Sequence, residues 1–334
     1  MIPKLAPIVA VPARNEAQRL PKLLRALNAQ RAWSTGKMQL PVVIVLNNTT
    51  DNSAAVVRDL IGALDNLTLH LLEITFEPEA AHVGSARRLA METAYSLIGD
   101  HGVILTTDAD AVPDENWILQ NLRSIEAGAH IVGGRIIGDP VEEAILGPGF
   151  QRRASKYARY AALCDELASI VDPIEHDPWP RHQDHTGGSI AVRSDVYQAV
   201  GGMPALPFRE DIGFVSRVLR AGYRLAHPLE VSVTVSARTE GRAPGGMADC
   251  VRSWVADELE GKPILVESPV SVQNRLLKRR SIRTLNDTPA QTIASLHVDD
   301  AASDLDIVGA VPIDLAIQEV VEMLLQFKGA RNAA

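Results

Sequence analysis

Up to about residue 135, short unbroken apolar runs alternate with stretches whose apolar residues recur three and four positions apart. Ile8-Val9-Ala10-Val11, closed by Pro12, reads as a strand buried on both faces. Leu20, Leu23, Leu24 and Leu27 mark one face of a helix, with Pro21 acceptable in its first turn. Val42 to Leu46 predicts a second strand. The polar run Asn47 to Asn52 stops it and supplies a turn and an N-cap for a helix through Val56, Val57, Leu60 and Ile61. Leu69 to Ile74, Val103 to Leu105 and Ile131-Val132 continue the strands, and Ala86 to Leu97 continues the helices. This alternation predicts βαβ units and an α/β fold with a mostly parallel sheet flanked by helices. Such sheets bind ligands beyond the carboxyl ends of their strands. Chemistry is therefore expected at Arg14-Asn15-Glu16, at Asn47 to Asp51 and at Asp108-Ala109-Asp110.

Regularity falls off after about Gly147. Asp172 to Gly188 holds Pro173, Pro178, Pro180, Trp179 and three histidines, a composition that predicts a long exposed loop of the functional kind. Order resumes over Ser189 to Val192, Asp195 to Val200 and Ile212 to Leu219, the last stopped by Gly222. Leu229 to Val235 alternates as a strand does. From about Lys262 the pattern is weak until an apolar-faced helix over Ile313 to Phe327.

Composition narrows the classes further. With 46% apolar and 22% charged residues, the chain is neither disordered, collagen-like nor a disulfide scaffold. Lys and Arg number 33 against 41 Asp and Glu, a net charge of −8 that argues against a dedicated nucleic-acid binder. Cys164 and Cys250 lie far apart and read as reduced intracellular thiols. No run approaches the ~20 apolar residues of a membrane span, and the N-terminus has no signal-like core. A cytoplasmic protein is expected, with peripheral membrane contact left open.

Two carboxylates one residue apart at the end of a buried strand, as in Asp108-Ala109-Asp110, can converge on Mg²⁺ or Mn²⁺ together with substrate phosphate oxygens. By itself such a pair more often describes two solvated turn acids, but its position at the carboxyl end of a strand in a βαβ series favours the metal. Its order among other motifs is more specific: PARNE (Pro12 to Glu16), a polar loop after the second strand, SARR (Ser85 to Arg88), TTDADA (Thr106 to Ala111), GGSIAVRSDVYQAVGG (Gly187 to Gly202) and RED (Arg209 to Asp211). This series resembles the nucleotide-sugar glycosyltransferases of family 2, with the GT-A fold, over about Ile8 to Val235.

The resemblance implies a site. Pro12, Arg14 and Glu16 would line the nucleotide pocket with Asn47, Arg87 would approach the nucleotide or its phosphates, and Asp108 would touch the ribose. Asp110 would bind a divalent metal, Mn²⁺ or Mg²⁺, bridging the diphosphate, and Asp211 would be the catalytic base. Glu16, Asn47 and Arg87 should then converge on one cleft beside Asp108. Residues 1–240 form the glycosyltransferase domain on this reading, with a nucleotide-sugar half at about 1–135 and an acceptor half at about 136–240. Residues 241–334 form a partly helical extension. The expected partners are a UDP- or GDP-sugar donor and an acceptor hydroxyl on a saccharide, a lipid-linked molecule or a small molecule.

Departures from the family pattern carry information. Where the family places an Asp-Asp-Gly-Ser loop, this chain has Asn47-Asn48-Thr49-Thr50, and an amide both donates and accepts, so the base is not readable there. The Q-x-x-R-W motif of processive synthases is absent. A histidine common near Val231 to Val235 is replaced by Ser236, and His227, set among apolar residues and a proline, reads as structural. From the residues alone, a carboxylate in Glu210-Asp211 can take a proton from an attacking hydroxyl, or both acids can serve the start of a helix. Trp179, His182, Asp184 and His185 read as an acceptor wall or a solvated loop. Gly241 to Gly246 reads as a connector whose Arg242 can reach a phosphate, and Arg275, Lys278, Arg279, Arg280 and Arg283 as a basic face toward an anion, a membrane or solvent. Two alternatives stand beside sugar transfer: a sugar-nucleotide nucleotidyltransferase, which normally opens on a glycine-rich loop lacking here, and a non-catalytic nucleotide-sugar binder.

Overall fold

The structure is a computed structural model that describes residues 5–31, 39–241, 246–285 and 309–332. The first half runs β1 (Ala6–Ala13), α1 (Leu20–Asn28), β2 (Leu40–Asn47), α2 (Ser53–Leu60), β3 (Leu67–Ile74), α3 (Val83–Ile98), β4 (Gly102–Thr106), β5 (Ala111–Pro113), α4 (Trp117–Glu126), β6 (Ile131–Gly133) and β7 (Arg135–Gly138). Next come α5 (Pro140–Ile145), α6 (Gly147–Val171), β8 (Ile190–Arg193), α7 (Ser194–Ala199), α8 (Glu210–Arg220), β9 (Leu225–Ala226) and β10 (Ser232–Val235). α9 (Met247–Leu259), β11 (Leu265–Glu267), α10 (Pro269–Leu285), β12 (Ala310–Pro312) and a last helix, Ile313–Asn332, complete the described chain.

The main sheet has the order β3-β2-β1-β4-β8-β6-β9. β3, β2, β1 and β4 pair in parallel, whereas β8 runs antiparallel to both β4 and β6. Side chains of a strand point to alternate faces, and β1 shows what that requires of a central strand. Val9, Val11 and Ala13 enter a core with Leu20, Leu23, Leu24 and Leu27 of α1. Ile8 and Ala10 enter the opposite core with Ala86, Ala90 and Met91 of α3 and Phe214 of α8. An unbroken apolar run is the sequence consequence of burial on both faces. The strand also continues through Pro12 to Ala13, one residue past the expected stop, with Pro12 in register against Val45.

A second, small sheet of order β5-β10-β7 sits at the carboxyl end of the first, with β10 antiparallel to β5 and parallel to β7. It carries the segment after β10 back across the strand ends. A third apolar core gathers Leu167 and Val171 of α6, Val272 and Leu276 of α10, and Ile317, Val320 and Leu324 of the last helix.

The 25-residue helix α6 is the chief departure from the sequence expectation, which placed irregular structure after Gly147. A polar residue interrupts its apolar stripe: Arg153 is buried at a core position, where it donates to the Lys262 carbonyl at 2.8 Å and faces Glu258 at 3.5 Å. The basic run on α10 is likewise not a free face. Arg279 and Arg283 meet buried Asp172, Arg275 pairs with Glu267 at 2.9 Å, and Arg280 donates to the Val171 carbonyl at 3.2 Å. Among the described residues, no helix is long and apolar enough to cross a membrane.

Asp165 of α6 lies partly buried near Asp184, and burial first, then that neighbouring charge, pushes its carboxyl up to about 7. The native state thus holds a proton there that the unfolded chain releases near pH 3.8. Stability from this group is complete below that pH and is lost as the pH rises toward 7. Asp165→Asn should raise the melting temperature by roughly 3 °C or more at pH 8 and leave it nearly unchanged at pH 4, as read by calorimetry.

Candidate active site

Three strand ends supply the site's floor. After β1, Asn15 adopts a left-handed conformation (φ 54°), and its Oδ1 accepts from the Thr50 N–H at 2.8 Å. The Glu16 N–H donates to Ser53 Oγ at 2.9 Å, and the Ala17 N–H to Asp51 Oδ2 at 3.1 Å. These bonds stitch the loop after β1 to the loop after β2 and bury the Glu16 side chain. Asn47, the last residue of β2, donates from Nδ2 to the His82 carbonyl at 3.1 Å, and its buried Oδ1 has no hydrogen-bond partner among the described residues. His82 caps α3 by accepting from the Ser85 N–H, so Asn47 braces the start of the helix that carries Arg87. Arg14 is exposed and reaches the Ala81 carbonyl at 3.2 Å, on the rim of the cleft.

Arg87 is the site's organising cation. It is buried on α3 and spends its guanidinium on four partners: Asp108 Oδ1 at 2.6 Å, Glu210 Oε1 at 2.9 Å, Thr106 Oγ1 at 3.0 Å and the Gly187 carbonyl at 2.9 Å. Burial opposes its charge, but Asp108, Glu210 and Asp211 outweigh burial and hold its pKa above the ordinary arginine value. Gly187 must be glycine, because a Cβ there would stand 2.4 Å from Arg87 Nη2. The Gly187 N–H donates to Asp211 Oδ2 at 2.5 Å, and the Ile212 N–H to Asp211 Oδ1 at 2.8 Å, so two backbone donors aim this carboxylate. Glu210, by contrast, is buried in its pair with Arg87.

The second acid of the D-x-D pair faces a different arginine. Asp110 Oδ2 lies 3.0 Å from Arg238 Nη2, and Arg238 grips Glu16 with both nitrogens, at 2.9 and 2.7 Å. Burial and the Asp108 charge push the Asp110 carboxyl up to about 6, with Arg238 opposing them. Among the described residues, no three His, Cys, Asp or Glu side chains are grouped to hold a metal ion by themselves. The donor set still suits a hard divalent cation that takes one or two carboxylates and completes its shell with phosphate and water oxygens. A guanidinium, held by Glu16 and Asp110, already stands there as a cation.

Arg238 was not legible as a site residue. Its neighbours Ser236, Ala237 and Thr239 form no motif, and only the pairing of Val235 with Ala111 brings the chain after β10 beside Asp110. Asp177 also escaped notice in the proline-rich segment. It accepts from the His227 backbone N–H at 2.7 Å, meets His227 Nδ1 at 2.9 Å and pairs with Arg181 at 3.1 Å, so a buried carboxylate holds His227 by both its backbone and its ring. His227 Nε2 then lies 3.2 Å from His185 Nδ1. His182 is buried, and burial lowers its imidazole to about 3, while Asp184 accepts from the Ile136 N–H at 3.0 Å. These two side chains are thus committed to the protein interior and to the backbone of β7, whereas Trp179 remains exposed. Arg242 to Gly245 lie outside the described residues.

Removing a partner from a buried ion pair leaves the other charge uncompensated and typically costs about 3–5 kcal/mol. Arg87→Gln should cost stability in that range in urea denaturation, and Glu210→Gln combined with it should restore part of the loss.

The sequence model of the family described as glycosyl transferase family 2 matches residues 8–174, half of the chain. Glycosyltransferase AglE of Haloferax volcanii is 27% identical over 222 residues, spanning 60% of this chain and 68% of that protein. The crystal structure of S. aureus TarS superposes with a TM-score of 0.50 at 15% identity, covering 86% of this chain and 45% of that one. The mannosyltransferase PcManGT from Pyrobaculum calidifontis, solved in complex with GDP-Man and Mn²⁺, gives a TM-score of 0.49 at 17% identity, covering 98% of this chain and 83% of that one. With its strand order, its D-x-D turn and the Glu-Asp pair on α8 in place, the chain belongs to glycosyl transferase family 2.

Proposed function

We propose that this glycosyltransferase takes a UDP- or GDP-sugar and transfers the sugar to an acceptor hydroxyl in a single, inverting displacement. The observation that carries the reading is the division of labour between adjacent acids: Glu210 is consumed by Arg87, while Asp211 is aimed by two backbone N–H groups next to Gly187. Asp211 then accepts the acceptor's proton as its oxygen bonds to the anomeric carbon and the bond from that carbon to the diphosphate breaks. Both carboxylate oxygens retain a lone pair after their backbone bonds, so neither contact forbids this role.

Asp108 faces the ribose in this reading, held in place by Arg87. Asp110 is the protein ligand of a divalent cation, Mn²⁺ or Mg²⁺, that would neutralise the charge gathering on the leaving diphosphate. Pro12, Glu16 and Asn47 line the nucleotide pocket, with Arg14 at its rim. Asn47 is suited to reading the base: its amide nitrogen is committed to the His82 carbonyl, which leaves the buried Oδ1 as an acceptor for a base N–H. Uracil and guanine both carry such a donor. Residues 1–240 are taken as the transferase domain and the helices after it as an extension that shares a core with α6.

Three measurements test this reading. Nucleotide-stabilised melting with UDP, GDP and their sugars identifies the donor by mass action. Asn47→Ala should weaken the preferred nucleotide about tenfold by the loss of one hydrogen bond. Asp211→Asn keeps size but loses basicity. Donor binding should survive while kcat, followed as release of nucleoside diphosphate with water or acceptor, falls about 10²–10⁴-fold. Lost donor affinity with an unchanged kcat would move Asp211 into the binding set.

A further inference from the structure

Arg238 has a place in the site that no motif announced. Its backbone is clamped: Ser236 Oγ donates to Glu142 Oε2 at 2.6 Å, and the Ala237 N–H donates to the same oxygen at 2.9 Å. Glu142 is itself paired with Arg19. From this fixed base the guanidinium makes a two-pronged contact with Glu16 and one with Asp110, with Asp108 adding attraction at longer range. Arg87, the other arginine bonded to acids of this network, is committed to Asp108 and Glu210.

We propose that Arg238 is the resident counter-cation of the diphosphate site and makes metal binding conditional on the nucleotide. Without nucleotide, its guanidinium neutralises Glu16 and Asp110 and competes with a divalent ion for Asp110. A metal arriving alone would have to displace that contact with one carboxylate and water as its return. A metal arriving with a diphosphate brings phosphate oxygens as further ligands, which offset the lost contact. The two contacts of Arg238 differ in a way that permits the exchange. The forked bond to Glu16 is the stronger, and the single bond to Asp110 is the one released. Arg238 thereby stays anchored on Glu16 while Asp110 changes partners. A lysine could not do this as well, since a point charge has no fork to keep one acid while leaving the other.

This inference rests on Asp110 being the metal ligand of the donor site, and the test separates the two ideas. Mn²⁺ binding to the full chain is measured by electron paramagnetic resonance of the free ion, without nucleotide and with UDP or GDP. In the wild type, nucleotide should tighten Mn²⁺ binding at least tenfold, and by linkage Mn²⁺ should tighten nucleotide binding equally. Arg238→Gln should tighten nucleotide-free Mn²⁺ binding at least tenfold and shrink that mutual enhancement. Adding Asp110→Asn to it should abolish the gain. Arg238→Lys, which keeps the charge and guards against a folding defect, should fall between the two. If Mn²⁺ binds the wild type with nucleotide but Arg238→Gln binds it no tighter without nucleotide, the counter-cation role is overturned and the metal reading stands. If Mn²⁺ binding with nucleotide survives Asp110→Asn intact, the metal reading falls and takes this proposal with it. Loss of nucleotide binding in Arg238→Gln at saturating Mn²⁺ would also overturn it, by making Arg238 a phosphate ligand instead.

Discussion

One buried guanidinium holds the catalytic half of this protein together. Arg87 of α3 sits where the end of β4, the loop before β8 and the first turn of α8 meet, and it bonds to a residue of each of these three. A charge so placed is tolerable only with every donor satisfied, because an unpaired ion in the interior costs several kcal/mol. The geometry of four separate chain segments is thus tied to a single side chain. Its consequences reach the chemistry: the demand for a close approach at Gly187 fixes that residue as glycine, and Gly187 in turn presents its N–H to Asp211. The Asp211 carboxylate is positioned at second hand, through the backbone amide of Gly187, whose carbonyl Arg87 holds in place.

The main sheet and the first acids of the site were legible in the sequence because local pattern and global fold agree there. β1, β2 and β4 are buried on both faces, so burial leaves an unbroken apolar run, and the polar residues after each run fall at the sheet's carboxyl edge. Glu16, Asn47, Asp108 and Asp110 follow from that rule. Where a polar residue serves the core, the pattern disappears. Arg153 breaks the stripe of α6, and the arginines of α10 turn toward Asp172 and Glu267, so two helices that pack as firmly as others looked like irregular, basic chain. Arg238 was hidden for a different reason. Its partners lie more than a hundred residues away, and only the antiparallel register of β10 on β5 brings it to them.

The two arginines divide the negative charge of the site between a buried and a partly exposed partner. Arg87 is almost wholly enclosed, with side-chain exposure of 3%, and its four bonds leave nothing to give up without loss of structure. Arg238 is 21% exposed, and its contact with Asp110 is single. The D-x-D pair is split accordingly: Asp108 meets the buried Arg87, and Asp110 meets the more exposed Arg238. Two acids a residue apart therefore have unlike chemistry, set by which arginine each one meets.

The small β5-β10-β7 sheet explains how these contacts are brought together. β5 follows the D-x-D turn directly, so pairing with β10 fixes the strand that leads to Arg238 against the very segment that carries Asp110. On its other edge, β7 binds β10 in parallel register, and its Ile136 N–H holds Asp184. Asp184 belongs to the segment that runs through His185 to Gly187, behind which the Asp177 and His227 pair is buried. Asp110, Arg238 and the loop whose Gly187 N–H meets Asp211 are thus indexed to one three-stranded ladder. A change in its register would move all three together.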